Sequence, residues 1–314
     1  MNNDSKTAAE PERPVAPPPL AAGAIPELLA LLATTAAELT RYYDLGDALD
    51  VARKADKSPV TEADLAAHTA LAVGLAALAP DIPLLSEESS TGDLDGRRRW
   101  PVCWVVDPLD GTREFIGRTG EFTINVALVV DHSPVLGAIA IPLQQQCFVG
   151  IPGQGVWRCR GSGFAELERL IAPAPDSDRI RLLASKRHSE IRVQALLTAL
   201  GVSGLPVDRV DAGSALKFCA LLDGRGDVYP RTSPCYEWDV AAGDALVRAS
   251  GGMLLDRGAV PMRYNARESL LVDYFAAASA TGVRWLPLIP GMENLSPTQV
   301  HGDTSWGYRE PTND

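Results

Sequence analysis

Residues 104–112 read Trp104-Val105-Val106-Asp107-Pro108-Leu109-Asp110-Gly111-Thr112. An apolar run of strand character passes directly into two carboxylates, a glycine turn and a hydroxyl. Asp, Pro and Gly are common turn formers, so this stretch alone is a strand that ends in a turn. Carboxylates at a strand end are also ligands suited to a hard cation. Magnesium favours oxygen donors and binds through one or two carboxylates, water and substrate phosphate. Two aspartates three residues apart, interrupted by Pro108, can face one ion or a pair of ions.

Outward from this stretch, three more acidic segments stand where elements meet. Glu87 and Glu88 follow the apolar strand at 82–85 through Ser86. Asp239, in Glu237-Trp238-Asp239, begins an Ala-rich helix. Asp64 closes Ser58-Pro59-Val60-Thr61-Glu62-Ala63-Asp64, with the Thr61-x-x-Asp64 spacing of a capping box. Taken singly, these are a solvated loop, an N-cap and a capping box.

Periodicity predicts helices at 25–43 and 61–78, then strands at 82–85, 102–106, 122–130, 135–141 and 147–151. Further on it predicts a strand at 180–184, helices at 190–200 and 214–222, a strand near Val228, a helix at 239–249 and a strand at 270–277. This alternation implies a stacked α/β sandwich. Residues 1–24, rich in Pro and Ala, read as a disordered leader. One unit is expected over 25–281, with lobes at about 25–175 and 176–281, and residues 282–314 carry no assignable structure.

The chain has 314 residues and a formal net charge of -11, which disfavours a nucleic-acid polymer or an anionic membrane surface as partner. An anionic substrate therefore needs local help from cations, helix N-termini or a few placed Arg and Lys. Five scattered cysteines without C-x-x-C spacing argue against a zinc site or disulfide framework and suit a reducing cytosol. No signal peptide is legible, and no run approaches the roughly 20 apolar residues of a membrane span.

In order, D-x-S-P-V-T-x-A-D, S-E-E, D-P-L-D-G-T and W-D-x-A-A-G resemble the metal-dependent, lithium-sensitive phosphatases of the inositol monophosphatase superfamily. The resemblance implies an α/β (α+β) fold, a layered α-β-α-β-α sandwich. It implies two or three Mg2+ ions held by Glu87, Asp107, Asp110, Asp239 and the Leu109 carbonyl, with Glu88 supporting them. Asp64 and Thr112 match the pair that activates the attacking water, and Gly111, Thr112 and Asp239 match positions that contact the substrate phosphate.

Later segments narrow the likeness. Arg113-Glu114-Phe115-Ile116 after the D-G-T turn, Gly120-Glu121-Phe122-Thr123-Ile124-Asn125, Ala184-Ser185-Lys186-Arg187-His188, Gly213-Ser214-Ala215-Leu216-Lys217, and Asp227-Val228-Tyr229-Pro230-Arg231 resemble the bacterial bisphosphate nucleotidase branch. That branch implies nucleotide contacts from His188, Ser214, Lys217 and Arg231, and hydrolysis of 3'-phosphoadenosine 5'-phosphate to AMP and phosphate by in-line attack of water. Taken singly, Lys217 reads as an exposed helix residue, Arg231 as a loop charge and His188 as a surface group. An inositol or other sugar monophosphatase is the alternative, and a non-catalytic phosphate or nucleotide sensor represents another class. A cytoplasmic monomer or homodimer is expected, with peripheral membrane association left open. The leader, and about forty residues beyond Leu271, depart from the branch's pattern.

Overall fold

A computed structural model describes residues 20, 23–46, 51–53, 59–172, 178–185, 190–292 and 295. Nearly all of the leader, His188, and the tail after Met292 apart from Leu295 lie outside the described residues.

The chain opens with helix α1 (Ala24–Leu45), the short hairpin β1 (Val51–Arg53) and β2 (Pro59–Thr61), and helix α2 (Glu62–Leu78). Strands β3 (Leu84–Ser86) and β4 (Val102–Asp110) pair in parallel, and helix α3 (Thr112–Ile116) follows β4 directly. Strands β5 (Thr123–Val130), β6 (Ser133–Ile141), β7 (Gln146–Ile151), β8 (Gly155–Arg160) and β9 (Glu166–Leu170) then run as an antiparallel meander. Together β3 to β9 make a seven-stranded sheet in chain order.

The second half contains β10 (Ile180–Ala184), α4 (Glu190–Gly201), β11 (Val207–Asp211), α5 (Leu216–Leu222) and β12 (Val228–Arg231). It continues with β13 (Cys235–Tyr236), α6 (Ala241–Ala249), β14 (Met253–Asp256), β15 (Leu271–Val272) and β16 (Phe275–Ala278). Five of these strands form a second sheet in the order β11-β10-β12-β16-β14, parallel at β11-β10-β12 and antiparallel beyond.

Strand alternation explains the layering. On β4, Trp104 and Val106 enter the core shared with α1 and α2, while Cys103 and Val105 enter the core shared with α5 and α6. A strand buried on both faces reads as a continuous apolar run, which is why Val102 to Val106 shows no polar alternation. The far side of α5 and α6 packs on Tyr229, Leu254, Phe275 and Ala277 of the second sheet. That sheet's outer face is covered by Leu196 and Leu200 of α4 together with Val283, Leu286, Ile289 and Met292. The order is thus helix pair, sheet, helix pair, sheet, helix, and the α-β-α-β-α expectation holds.

Seven strands were absent from the periodicity reading: β1, β2 and β13 are only two or three residues long, and the other four each have a local reason. β9 is an exposed edge strand whose Glu166, Glu168 and Arg169 show no apolar alternation, and β11 is a half-exposed edge. β8 mixes two arginines with buried Val156 and Cys159, and β14 is only four residues long. The strand expected at 270–277 is broken in two, β15 joining β13 and β16 joining the five-stranded sheet. Residues 283–288, unassigned from sequence, form a 3-10 turn whose Val283 and Leu286 enter the outer core. Among the described residues no helix is long and apolar enough to cross a membrane.

Candidate active site

The site forms where β4 ends. In a regular strand, residues three apart point to opposite faces. Here Asp107 pairs with Asn125 and Asp110 with Thr123, three residues on β4 against two on β5, so the strand carries a bulge. Pro108, which has no N–H to leave unpaired, occupies that bulge. The extra residue turns Asp107 and Asp110 to one side.

Asp107, Asp110 and Asp239 then each place a carboxylate oxygen within 4.8 Å of the others. Asp107 is buried, and its Oδ1 accepts the Leu109 N–H at 3.1 Å. Burial, reinforced by the charges of Glu87, Asp110 and Asp239, pushes its carboxyl well above the ordinary carboxylate range. Asp239 is raised mainly by desolvation and then by Asp110, with Arg231 and the Tyr236 N–H acting in the opposite direction.

Asp110 is the most firmly fixed of the three. Its Oδ2 accepts from Ser214 Oγ at 2.6 Å, from the Ala215 N–H at 2.6 Å and from Asn125 Nδ2 at 3.3 Å. Ser214 also sits 2.8 Å from Thr123 Oγ1, so β5 and the turn before α5 close on the same carboxylate. This contact explains why α5 starts at Leu216 and not at Ser214: Ser214 adopts a left-handed φ of 46° that points its hydroxyl at Asp110.

Asp64 faces the same junction from the start of α2. Its Oδ2 accepts the Thr61 N–H at 2.8 Å and the Thr61 hydroxyl at 2.6 Å, a capping box. Its Oδ1 accepts the Thr112 hydroxyl at 3.0 Å. One oxygen of Asp64 therefore caps the helix while the other meets the Thr112 hydroxyl. Gly111, at φ 94°, makes the turn between the aspartates and Thr112, and a Cβ there would lie 2.9 Å from the Glu121 carbonyl oxygen.

Glu87 lies near enough to Asp107 and Asp239 to raise both. Its turn is tied by the Glu88 N–H to Ser86 Oγ at 3.4 Å and by Ser86 Oγ to His68 Nδ1 at 3.0 Å. Asp239 comes from a 3-10 turn at Glu237–Asp239, and its Oδ2 accepts the Tyr236 N–H at 2.9 Å. Buried Glu237 anchors that turn by accepting the Asn265 N–H at 2.5 Å, and the Asn265 side chain accepts from the Arg97 guanidinium and donates to the Arg97 carbonyl.

The expected nucleotide contacts fare unequally. Arg231 is half-buried, close to Asp239, and bonded to Ser233 O at 3.3 Å, Pro234 O at 3.4 Å and the Tyr229 hydroxyl at 3.5 Å. Lys217 is buried, not the exposed helix residue its position suggested, and donates to Ser214 O at 2.7 Å and Ala212 O at 3.1 Å. Ser214 is engaged with Asp110. Reading the sequence gave no site role to His68, Thr123, Asn125 or the Glu237-Asn265-Arg97 group, because each acts on a neighbour.

The donor set fits a hard divalent cation. It consists of oxygens alone, and converging carboxylates at the floor of a buried strand end repel one another unless a cation or protons compensate them.

A sequence model of the inositol monophosphatase family matches residues 25–281. The chain belongs to that family. Members of the inositol monophosphatase family depend on metal ions, in keeping with the acidic cluster. The 3'(2'),5'-bisphosphate nucleotidase CysQ of Shigella flexneri is 39% identical over 233 residues, covering 74% of this chain and 90% of the relative. The protein of the same name from Escherichia coli K12 is 38% identical over the same shares. Among solved structures, CysQ from Bacteroides thetaiotaomicron, described as a bacterial member of the family, aligns with a TM-score of 0.69. It is 34% identical and covers 82% of this chain and 97% of that one.

Proposed function

We propose that this protein is a Mg2+-dependent phosphomonoesterase that removes the 3'-phosphate of 3'-phosphoadenosine 5'-phosphate, giving AMP and phosphate. The observation that carries the reading is the Asp64–Thr112 hydrogen bond placed beside the Asp107-Asp110-Asp239 cluster. The choice of substrate is supported by relatives named as bisphosphate nucleotidases at 38–39% identity.

Asp107, Asp110, Asp239, Glu87 and the Leu109 carbonyl would hold the ions, with Glu88 supporting them. When bound, Mg2+ neutralises the phosphate dianion and lowers the pKa of a nearby water. Thr112 donates its proton to Asp64, which leaves the hydroxyl's lone pairs to orient the attacking water. The Asp64 carboxylate is the destination of the proton that water gives up, a general-base role. Gly111 keeps the backbone bare where the phosphate approaches. Arg231 supplies positive charge for the second phosphate, with a guanidinium already oriented by Ser233, Pro234 and Tyr229. The five cysteines are free and buried, and we place the enzyme in a reducing cytosol.

Phosphate release tests the reading, with 3'-phosphoadenosine 5'-phosphate and inositol 1-phosphate offered in parallel with Mg2+, beside an Asp107→Asn control. A nucleotide kcat/KM higher by about a hundredfold, roughly 2.7 kcal/mol of transition-state preference, is expected, and the control should lose it. Preference for the inositol ester would overturn the substrate assignment, while turnover of neither would favour a sensor.

A further inference from the structure

Glu87 and Asp239 reach the carboxylate cluster from distant parts of the chain. Glu87 opens the connection between β3 and β4, and Asp239 closes the 3-10 turn that precedes α6. One short segment, residues 265–270, is bonded to both of these places.

On the Glu87 side the bonds come from Arg97, in a 3-10 turn (Arg97–Arg99) of the same β3–β4 connection. Arg97 is 8% exposed, whereas Arg98 and Arg99 are exposed to solvent. Its guanidinium donates to Asn265 Oδ1 at 2.8 Å, to Arg267 O at 2.9 Å and to the Glu268 carbonyl, and Asn265 Nδ2 returns a bond to Arg97 O at 2.6 Å. On the Asp239 side, Oε2 of buried Glu237 accepts the Asn265 N–H at 2.5 Å, and the Glu237 N–H donates to Leu270 O at 3.0 Å. Asn265 is buried and holds a left-handed φ of 52°, a region that Asn tolerates better than most residues. One residue thus gives its side chain to one turn and its N–H to the other.

Such a bridge is a costly way to pack a loop. A guanidinium and a carboxylate are both desolvated, and apolar residues of similar volume are often as stable or more so. Glu237 Oε1 has no hydrogen-bond partner among the described residues and meets the exposed Arg267 guanidinium at 3.8 Å. Stability alone therefore does not account for these groups. What a planar, multiply bonded fork supplies is a fixed direction and separation.

We infer that Arg97, Asn265 and Glu237 are positioning residues for the metal site: their bridge sets the distance between the turns that carry Glu87 and Asp239. The inference rests on the reading of those two carboxylates as metal ligands. Groups that orient metal ligands change affinity by about 10–100-fold when removed. Coupling is reciprocal, so Mg2+ stabilises the bridge by the same factor by which the bridge strengthens Mg2+ binding.

Mg2+ titration of the nucleotide-free protein by calorimetry tests this without relying on catalysis. Asn265→Gly keeps the left-handed backbone, deletes both side-chain bonds to Arg97, and should weaken Mg2+ binding by about tenfold or more. Arg97→Lys, which keeps the charge but not the fork, should lie between that variant and wild type. In steady-state assays both should raise the Mg2+ concentration for half-maximal rate, with kcat at saturating Mg2+ within about threefold of wild type. Tyr264→Phe is the control: it removes a 3.0 Å bond to Asp244 Oδ2 from the adjoining residue, and should lower Tm and leave Mg2+ affinity unchanged. Unchanged Mg2+ affinity in folded Asn265→Gly, or an equal loss in Tyr264→Phe, would overturn the bridge and leave the metal reading standing. Absence of Mg2+ binding by the wild type would overturn the metal reading, and the inference with it. Should Asn265→Gly fail to fold, hydrogen exchange of the wild type decides. Mg2+ should slow exchange of the Asn265 amide by about tenfold or more relative to edge strand β9, and an unchanged rate would refute the assignment.

Discussion

Replacing Asp64 by Asn separates the two tasks of one carboxylate. Oδ2 caps α2 by accepting from the Thr61 N–H and hydroxyl, and Oδ1 accepts the Thr112 proton. An Asn can turn its carbonyl oxygen to Thr61 and keep the cap, losing only the negative charge at the helix N-terminus, about 0.3–1 kcal/mol. Its NH2 group must then face Thr112, a donor against a donor. The hydroxyl has to reverse, and no carboxylate remains to take a proton. Loss of general-base action costs about 10²–10⁴ in rate, roughly 3–5 kcal/mol of barrier. The cap term shifts Tm by only about 1–4 °C for a domain of this size. Phosphate release at saturating Mg2+, run beside thermal unfolding, measures both quantities on the same sample. A kcat within tenfold of wild type would refute the catalytic role and leave Asp64 a cap alone. A Tm drop of about 10 °C or more would show that the activity loss reflects unfolding.

The other expectations address Asp110, the turn, the sheet and the charge on Lys217. Ser214→Ala removes the 2.6 Å bond to Asp110 Oδ2 and should weaken Mg2+ binding about tenfold, read by titration calorimetry. Gly111→Ala forces a Cβ to 2.9 Å from the Glu121 carbonyl at φ 94°; a loss of about 1–3 kcal/mol by denaturant unfolding is expected, with activity falling further because the loop between Asp110 and Thr112 shifts. Gly137→Ala would drive a Cβ on β6 into the Ala242 carbonyl of α6 and should cost about 1–3 kcal/mol, with no change in the Mg2+ requirement of the folded fraction. Lys217, at about 8 in the folded protein against 10.5 unfolded, binds fewer protons when folded over that window. Stability should therefore be depressed below pH 8 and recover by about 3 kcal/mol as pH rises to 10.5, a rise that Lys217→Met lacks in parallel urea titrations.

Much of the chemistry was legible because it is written in contiguous, ordered segments. Asp107, Asp110, Gly111 and Thr112 sit within six residues, and Thr61 and Asp64 within one helical turn. Apolar periodicity likewise placed α1, α2, β4, β5, β6 and β7, since a helix stripe or a doubly buried strand imposes its own pattern on neighbouring residues. Edge strands β9 and β11 carry no such demand, so their sequences are free to be charged, and they escaped notice. The short pieces β13 and β15 are strands only because they find each other across the fold.

Sequence alone determined which groups are present: the carboxylates, the hydroxyl, the glycine turn, and a layered α/β arrangement able to bury them. Tertiary structure decided which way each group points. The bulge in β4 put Asp107 and Asp110 on one side, and a left-handed Ser214 turned α5's entry into a clamp on Asp110. Lys217, an exposed helix residue when taken singly, is turned inward to two backbone carbonyls. Such directions depend on partners 91 to 105 residues away in the chain, as between Thr123 and Ser214 or Asp110 and Ala215, and a local pattern of side chains holds no record of them. The physical reason is that buried polar groups must be satisfied by whichever neighbours the packed layers bring within reach.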